Sequence, residues 1–194
     1  MNRDKLILAW KAEEKIAHIH GWDFSHIDGR YTEQDDLPWE YRTVIRQYLR
    51  PEMKIMDIDT GGGEFLLSLN HPHENTAAME NYPPNVELCK EVLLPRGKTE
   101  VPFPDQYLKL ASRKFEDAGF TTLRGEEVFR TIRFFDIGAL VWFARIIQWE
   151  FPGFSVDTHL ENLLNAQKIL DEKGSVDGSI HRFLLVAQKQ ETRS

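Results

Sequence analysis

The spacing of apolar residues divides the chain into helices and strands along most of its length. Apolar side chains that recur every three or four residues predict helices with one buried face. The predicted helices cover residues 4–19, 38–49, 86–94, 105–118, 137–149 and 157–172, and a further helix begins at Glu64. Compact apolar runs predict strands at residues 54–58, 76–79, 120–123, 128–134 and 180–188.

Residues with known helix-end preferences stand at several of these boundaries. Asp4, Asp136 and Asp157 stand where a carboxylate can accept hydrogen bonds from the free N–H groups of a helix. Gly21 and Gly174 stand just after predicted helix ends, where a left-handed backbone is common. These residues support the predicted boundaries.

The order of the elements predicts one α/β unit. Residues 1–50 are predicted to form an N-terminal helical cap, within which residues 22–37 are polar and irregular. Residues 51–194 are predicted to form the main domain, and the whole chain has the length of a single globular unit. Residues 54–94 read strand, glycine-rich loop, helix, strand, turn and helix, which is typical of the start of a doubly wound parallel sheet.

Composition and charge narrow the class of protein. The chain is 41% hydrophobic and 28% charged, which is ordinary for a soluble globular domain. No apolar run approaches the roughly 18 residues of a membrane span, and the charged N-terminus does not match a secretory signal. The 24 Lys and Arg against 31 Asp and Glu give a net charge of −7, which does not favour nucleic acid as a partner. The single cysteine, Cys89, cannot form an internal disulfide, so a cytoplasmic location is expected.

The strongest chemical signal is the loop after the strand at 54–58. Gly61, Gly62 and Gly63 let the backbone approach a ligand closely, because glycine has no Cβ. The helix that follows would direct its free N–H groups towards that ligand. Doubly wound folds place a carboxylate for the ribose hydroxyls at the end of the next strand, about 20 residues later. Glu80 stands at that point, 23 residues after Asp57.

The glycine spacing does not match a dinucleotide fingerprint. A pattern that starts at Gly61 would need its third glycine at the position of Leu66. The nicotinamide cofactors are therefore disfavoured. No group of histidines and carboxylates has the spacing of a metal site.

Several longer segments carry a family pattern. The stretch MDIDTGGGEFLLSL is followed by AAMENYPPNVELC, with WDFSHIDGRY and LPWEY upstream and FFDIGALVWFARIIQWEFPGFS and HRFLLVAQK downstream. Together these segments resemble a bacterial subgroup of class I S-adenosylmethionine (SAM)-dependent methyltransferases, of the methyltransferase-11 type. The resemblance covers residues 10–97 and 103–189, with the middle of the usual catalytic domain missing.

The resemblance implies both a fold and an activity. The implied fold is a Rossmann-like doubly wound sheet, shortened to about four to five strands, with helices on both faces. The implied activity is methyl transfer from SAM to a small-molecule or RNA acceptor, and the acceptor would lie against residues 22–41 and 145–154. The alternative is a catalytically degenerate protein with a binding, regulatory or oligomerisation role. The implied cofactor-binding residues are Asp57, Asp59, Thr60, Gly61, Gly62, Gly63, Glu80 and Asn81.

Two departures from the family pattern change these expectations. The family has glycine where this chain has Asp59, and the extra charge is expected to weaken SAM binding by about one to several kcal/mol. Asp59 could instead cap the helix at Glu64. After Gly97 the chain passes directly to the late helix at 105–118, without the central strands. We expect the last strands to close up beside residues 54–58, or a second copy to fill the gap as a homodimer.

Overall fold

The computed structural model describes residues 2–19, 23–58, 60–80, 85–87, 108–148 and 150–189. The helices in these residues are α1 (Arg3–Ile16), α2 (Tyr41–Tyr48), α3 (Glu64–Leu67), α4 (Leu108–Asp117), α5 (Ile137–Ile146) and α6 (Leu160–Lys173), with single 3-10 turns at Ser25–Ile27 and His73–Asn75. The strands are β1 (Tyr31–Glu33), β2 (Ile55–Ile58), β3 (Thr76–Met79), β4 (Phe120–Phe134) and β5 (Val176–Lys189). The α/β class predicted from the sequence is confirmed.

The described strands form two sheets. Strands β2 and β3 pair in parallel over four registered residues, from Ile55 opposite Thr76 to Ile58 opposite Met79. The other sheet has the order β1, β4, β5, and both of its pairings are antiparallel. Strand β5 therefore does not pair with β2, and the expected closing of one sheet around β2 is wrong within the described residues.

Strand β4 is one long strand where the sequence predicts two. The apolar stretches 120–123 and 128–134 are separated by polar residues, which are typical of a break. Those polar residues nevertheless continue the alternating exposure of β4 and keep their pairing with β5, apart from a bulge between Thr122 and Arg124. A partner strand of similar length holds the polar stretch in the sheet.

Helix α5 lies at the centre of the hydrophobic core because its side chains are buried on more than one side. Trp142 packs in the same cluster as Phe134 of β4. Val141 packs in a second cluster with Trp10 of α1 and Leu163 of α6. A helix that is apolar around most of its circumference is expected in such a position.

The helix ends confirm some of the capping predictions and correct others. Asp136 caps α5 as predicted, since its Oδ1 accepts a hydrogen bond from the N–H of Ala139 at 2.8 Å. Gly174 ends α6 in a left-handed conformation, also as predicted. Helix α1 is capped by Asn2 instead of Asp4, and α6 begins after His159 instead of Asp157.

The end of α1 also differs from the sequence prediction. The helix ends at Ile16, before the predicted boundary at residue 19, because the chain leaves the helical path and carries Ile19 into the core cluster around α5. The predicted stop at Gly21 lies outside the described residues, as do Cys89 and most of the predicted helix 86–94.

The N-terminal segment is closely packed against the rest of the chain. Helix α1 lies against α5 and buries Trp10 to 2% exposure. The predicted boundary at residue 50 between a helical cap and a main domain stays a prediction. In the part of the chain described here, no helix has the length and apolarity needed to cross a bilayer.

Candidate functional site

The candidate site is the loop that follows β2, beside the end of β3. Parallel pairing brings the carboxyl ends of these two strands to the same edge. The N–H of Thr60 donates to the carbonyl oxygen of Met79 at 3.2 Å, and the N–H of Gly63 donates to the carbonyl oxygen of Thr60 at 3.1 Å. Gly61 and Gly63 have φ values of 64° and 86°, which glycine adopts without steric cost.

Glu80 connects the two strand ends. Its Oε2 accepts a hydrogen bond from the N–H of Gly61 at 2.8 Å. The Glu80 residue is 8% exposed and Thr60 is 7% exposed, so this part of the loop is shielded from solvent. The carboxylate therefore points towards the glycine loop, as the sequence predicts.

Asp57 adds a second carboxylate from the end of β2. Burial raises the pKa of Asp57, a hydrogen bond from Thr60 partly offsets that effect, and the nearby Glu80 raises the pKa further. The Thr60 hydroxyl donates to Oδ2 of Asp57 at 2.7 Å. Asp57 and Glu80 are thus close enough for their charges to interact.

A third carboxylate, that of Glu64, lies over the loop. A Cβ added to Gly62 would lie 2.1 Å from Oε1 of Glu64, so the space beside Gly62 is already used by this side chain. The described residues contain no group of three potential ligands that could hold a metal ion. The local charge instead suits a cation or a ligand with hydroxyl donors, and it repels a phosphate.

Helix α2 packs against α3, the helix that follows the loop. The ring of Tyr41 stacks on that of Phe65 in α3, with centroids 5.2 Å apart and planes inclined by 25°. Nη2 of Arg42 donates to Oγ of Ser68 at 2.9 Å. Burial raises the pKa of Tyr41, and the charge of Asp57 raises it further, so this phenol lies near the site.

The structure brings most of the predicted cofactor-binding residues together. Hydrogen bonds join Asp57 to Thr60 and Gly61 to Glu80, and the other two glycines belong to the same turn. Asp59 and Asn81 lie outside the described residues. The N-cap position of α3, which is the alternative role suggested for Asp59, is occupied by Gly63, and α3 itself is a single turn.

The two regions expected to face a methyl acceptor have different positions. Tyr41, at the end of the segment 22–41, stacks on Phe65 just after the loop, and the charge of Asp57 raises its pKa. In the segment 145–154, Phe154 packs in the core cluster with Trp10, and its carbonyl oxygen accepts a hydrogen bond from Arg145 at 3.1 Å. That segment stabilises the core in the described structure.

Sequence reasoning missed Glu64 and Phe65 as parts of the site. From the sequence, Glu64 is predicted only to begin a helix, and Phe65 belongs to that helix. The available signal was their position directly after the glycines, because residues in the first turn of α3 necessarily flank the loop.

Comparisons with known proteins give a fold and no family. No family model matches the chain, and no curated protein matches it. The chain is similar to the crystal structure of a functionally unknown protein from Deinococcus radiodurans R1, with 10% sequence identity and a TM-score of 0.55. The alignment covers 96% of this chain and 98% of that one, so the chain shares its fold with this protein over nearly the full length of both.

Proposed function

We propose that this protein binds SAM at the loop after β2 and is a SAM-dependent methyltransferase-like protein with a small-molecule or RNA acceptor. The observation that carries the proposal is the position of Glu80. Its buried carboxylate comes from the end of the neighbouring parallel strand and lies 2.8 Å from the backbone nitrogen of Gly61. A carboxylate beside a glycine loop is the arrangement that recognises a ribose in doubly wound folds.

The charges around the loop favour SAM over a phosphorylated nucleotide. Asp57, Glu64 and Glu80 supply carboxylates, whereas a phosphate site needs cations or free N–H groups. The sulfonium and ammonium groups of SAM are cations, and its ribose donates hydrogen bonds. The same acidic loop would therefore favour an adenosyl sulfonium over the phosphates of NAD or ATP, while the carboxylate of SAM would have to lie away from these side chains.

The proposal extends to the fold around the loop. The segment from β2 through the loop and α3 to β3 is proposed as the first half of a Rossmann-like doubly wound sheet. The parallel pairing of β2 and β3 supports this, whereas β4 and β5 belong to a separate antiparallel sheet in the described residues.

Four residues in and beside the loop have roles in the proposed reaction. Bound SAM would supply an already activated methyl group, so the protein has mainly to position the reactants. Glu80 would accept hydrogen bonds from the ribose hydroxyls, and the Asp57 carboxylate would lie near the positive charge. Gly61 and Gly63 would allow a ligand to contact the backbone closely, because they have no Cβ. Their positive φ values would also strain any residue with a Cβ.

A second candidate is a protein that has kept this unit for binding and has lost catalysis. In the described residues β2 pairs with β3 alone, and the observed bond to Gly61 already uses one oxygen of Glu80. No described strand adjoins the other edge of β2 to complete an acceptor site. This arrangement favours a binding or regulatory role if methyl transfer is absent.

Isothermal titration calorimetry with SAM and with its demethylated product tests the binding proposal. We expect SAM to bind, and Glu80→Gln to weaken binding about tenfold or more because a hydrogen bond to a charged group contributes about 1.5–3 kcal/mol. Glutamine keeps an acceptor for Gly61 and the same shape. Glu74→Gln, exposed near the start of β3, is the matched control and should bind as the wild type does.

The outcomes separate the two candidates. Absence of heat and of any thermal shift at millimolar SAM would contradict SAM binding and favour a degenerate protein with another binding or regulatory role, since ligand at 100 times Kd should stabilise the fold by about 2.7 kcal/mol. Equal affinity of Glu80→Gln and the wild type would remove Glu80 from the site. Binding without transfer of a radiolabelled methyl group to a panel of small molecules and RNA would favour the second candidate.

A further inference from the structure

A second concave surface lies on the other side of β2 from β3. It is a groove of about 330 Å³ between α2, the beginning of β2 and the end of β5. Residues 53–55 and 184–187 contribute its strand sides, and Tyr41, Val44 and Tyr48 are among its helix residues. The volume is at the lower end of the range of small-ligand pockets.

The outer edges of β2 and β5 form two sides of the groove. Residues 184–187 all line it although neighbouring residues of a strand point to opposite faces, so the groove runs along the edge where backbone groups project. None of its lining residues belongs to β3 or β4, which pair with the opposite edges of β2 and β5. In the described part of the chain, these two outer edges have no partner strand.

The remaining side of the groove is apolar and has a charge at one end. The α2 residues that line it recur at helical spacing and form one apolar face. Lys54 is the charged residue among those that line the groove, it is exposed, and it forms no ion pair with a described residue. Because Lys54 follows α2 by a few residues and directly precedes β2, it marks the end of the groove away from the glycine loop.

The size and chemistry of the groove select its occupant. Residues 184–187 span about 13 Å at roughly 3.3 Å per residue, which matches about four residues of an added strand. A folded partner would need about 800 Å² of surface, well beyond one short edge. An extended peptide can pair with the strand edge and place alternate side chains against α2, and a terminal carboxylate complements Lys54.

We propose that this groove binds the carboxyl-terminal end of an extended apolar peptide. The peptide adds as a strand along the outer edge of β5, packs its apolar side chains against α2 and places its carboxylate beside Lys54. The groove shares Tyr41 with the surroundings of the glycine loop, but Asp57, Gly61 and Glu80 do not line it, and peptide binding does not depend on SAM binding.

Titration of the isotope-labelled full chain with three peptides, followed by amide NMR shifts, tests the proposal. The first is acetyl-Thr-Leu-Thr-Val with a free carboxylate, and the second is its C-terminal amide. The third is the free acid of the same sequence with N-methyl groups on its backbone. We expect the free acid to shift the amides of residues 54–55 and 184–187. The N-methyl peptide should bind at least fivefold more weakly, because it lacks the N–H donors for strand pairing.

A charge-pair cycle tests the role of Lys54. We expect the amide peptide to bind the wild type about two- to fivefold more weakly than the acid, which is the range for an exposed ion pair. Lys54→Met should bind the acid and the amide equally, whereas Lys168→Met, an exposed lysine on α6, should behave as the wild type does.

The remaining outcomes overturn the proposal. No binding at millimolar peptide, shifts at other residues, or equal binding of the N-methyl peptide would exclude strand addition. Equal binding of acid and amide by the wild type would exclude the carboxylate. Decanoate binding at the same amides at least as tightly as the peptide would assign the groove to a small amphipathic acid. Shifts that depend on protein concentration alone would assign it to a second copy of the chain.

Discussion

Asp136 provides a quantitative test of the fold because it caps α5 and pairs with Arg30. Its Oδ1 accepts from Ala139, and both of its oxygens accept from the guanidinium of Arg30 at 2.8 Å. Loss of an N-cap costs about 1 kcal/mol. Because the side chains of Arg30 and Asp136 are 30% and 39% exposed, solvent screening limits the ion pair to about 1 kcal/mol. Asp136→Ala should therefore lower the free energy of unfolding by about 2 kcal/mol.

Urea denaturation at pH 7 measures these contributions, and two variants separate them. Asp136→Asn keeps a good capping residue and loses the charge, so it should cost about half as much as Asp136→Ala. Asp157→Ala changes a residue that the sequence also predicts as a cap. Among the described residues Asp157 makes only an exposed ion pair, with Lys11, so the expected cost is about 0.5 kcal/mol. Equal losses for Asp136→Ala and Asp157→Ala would refute the assignment of the cap.

The pH dependence of the Asp136 effect follows from the direction of its pKa shift. Burial alone would raise the pKa of Asp136, but the hydrogen bonds from Arg30 and Ala139 outweigh it and hold the pKa below its usual value. A lowered pKa means that the stabilisation is complete above the ordinary Asp pKa of about 3.9 and is lost as the pH falls through the lowered value. The gap between the wild type and Asp136→Asn should therefore narrow in acid, and a gap that widens would contradict this.

Two further predictions concern the site and a helix end. The pKa of Asp57 is raised mainly by burial, so its ionised form destabilises the fold. Asp57→Asn should therefore raise the melting temperature at pH values above that pKa, while weakening SAM binding. A lower melting temperature at pH 7 would contradict this. Gly174→Ala should lower the free energy of unfolding in urea by about 1–2 kcal/mol, because the φ of Gly174 is 77°, in the left-handed region, and no atom lies near the added Cβ. Gly174→Asn should cost less, because asparagine tolerates that region better. Equal costs would argue against backbone strain.

The sequence predicts the candidate site better than it predicts the sheets. The glycines and Glu80 belong to one short stretch of chain, and parallel strands joined by a helix bring their ends together by local geometry. Glu64 was not recognised because its role comes from where its side chain folds back, over Gly62. Side-chain placement of that kind leaves no periodic signal in a sequence.

Elements that depend on distant partners were predicted less well. Strand β1 contains Tyr31, Thr32 and Glu33, which have no apolar alternation, and it exists because it pairs with the end of β4. The placement of β5 beside β4 instead of β2 is likewise decided by pairing between segments far apart in the chain. Local pattern fixes which residues can form strands, whereas partner choice depends on the whole fold.

The division of the described strands into two sheets has a consequence for how the molecule opens. A parallel pair with four registered residues is marginally stable by itself, and β4 with β5 is far longer. The amides of β2 and β3 should therefore exchange with deuterium through partial opening, while those of the longer sheet require global unfolding. A ligand bound at the carboxyl ends of the two short strands would therefore slow exchange more in β2 and β3 than in the longer sheet.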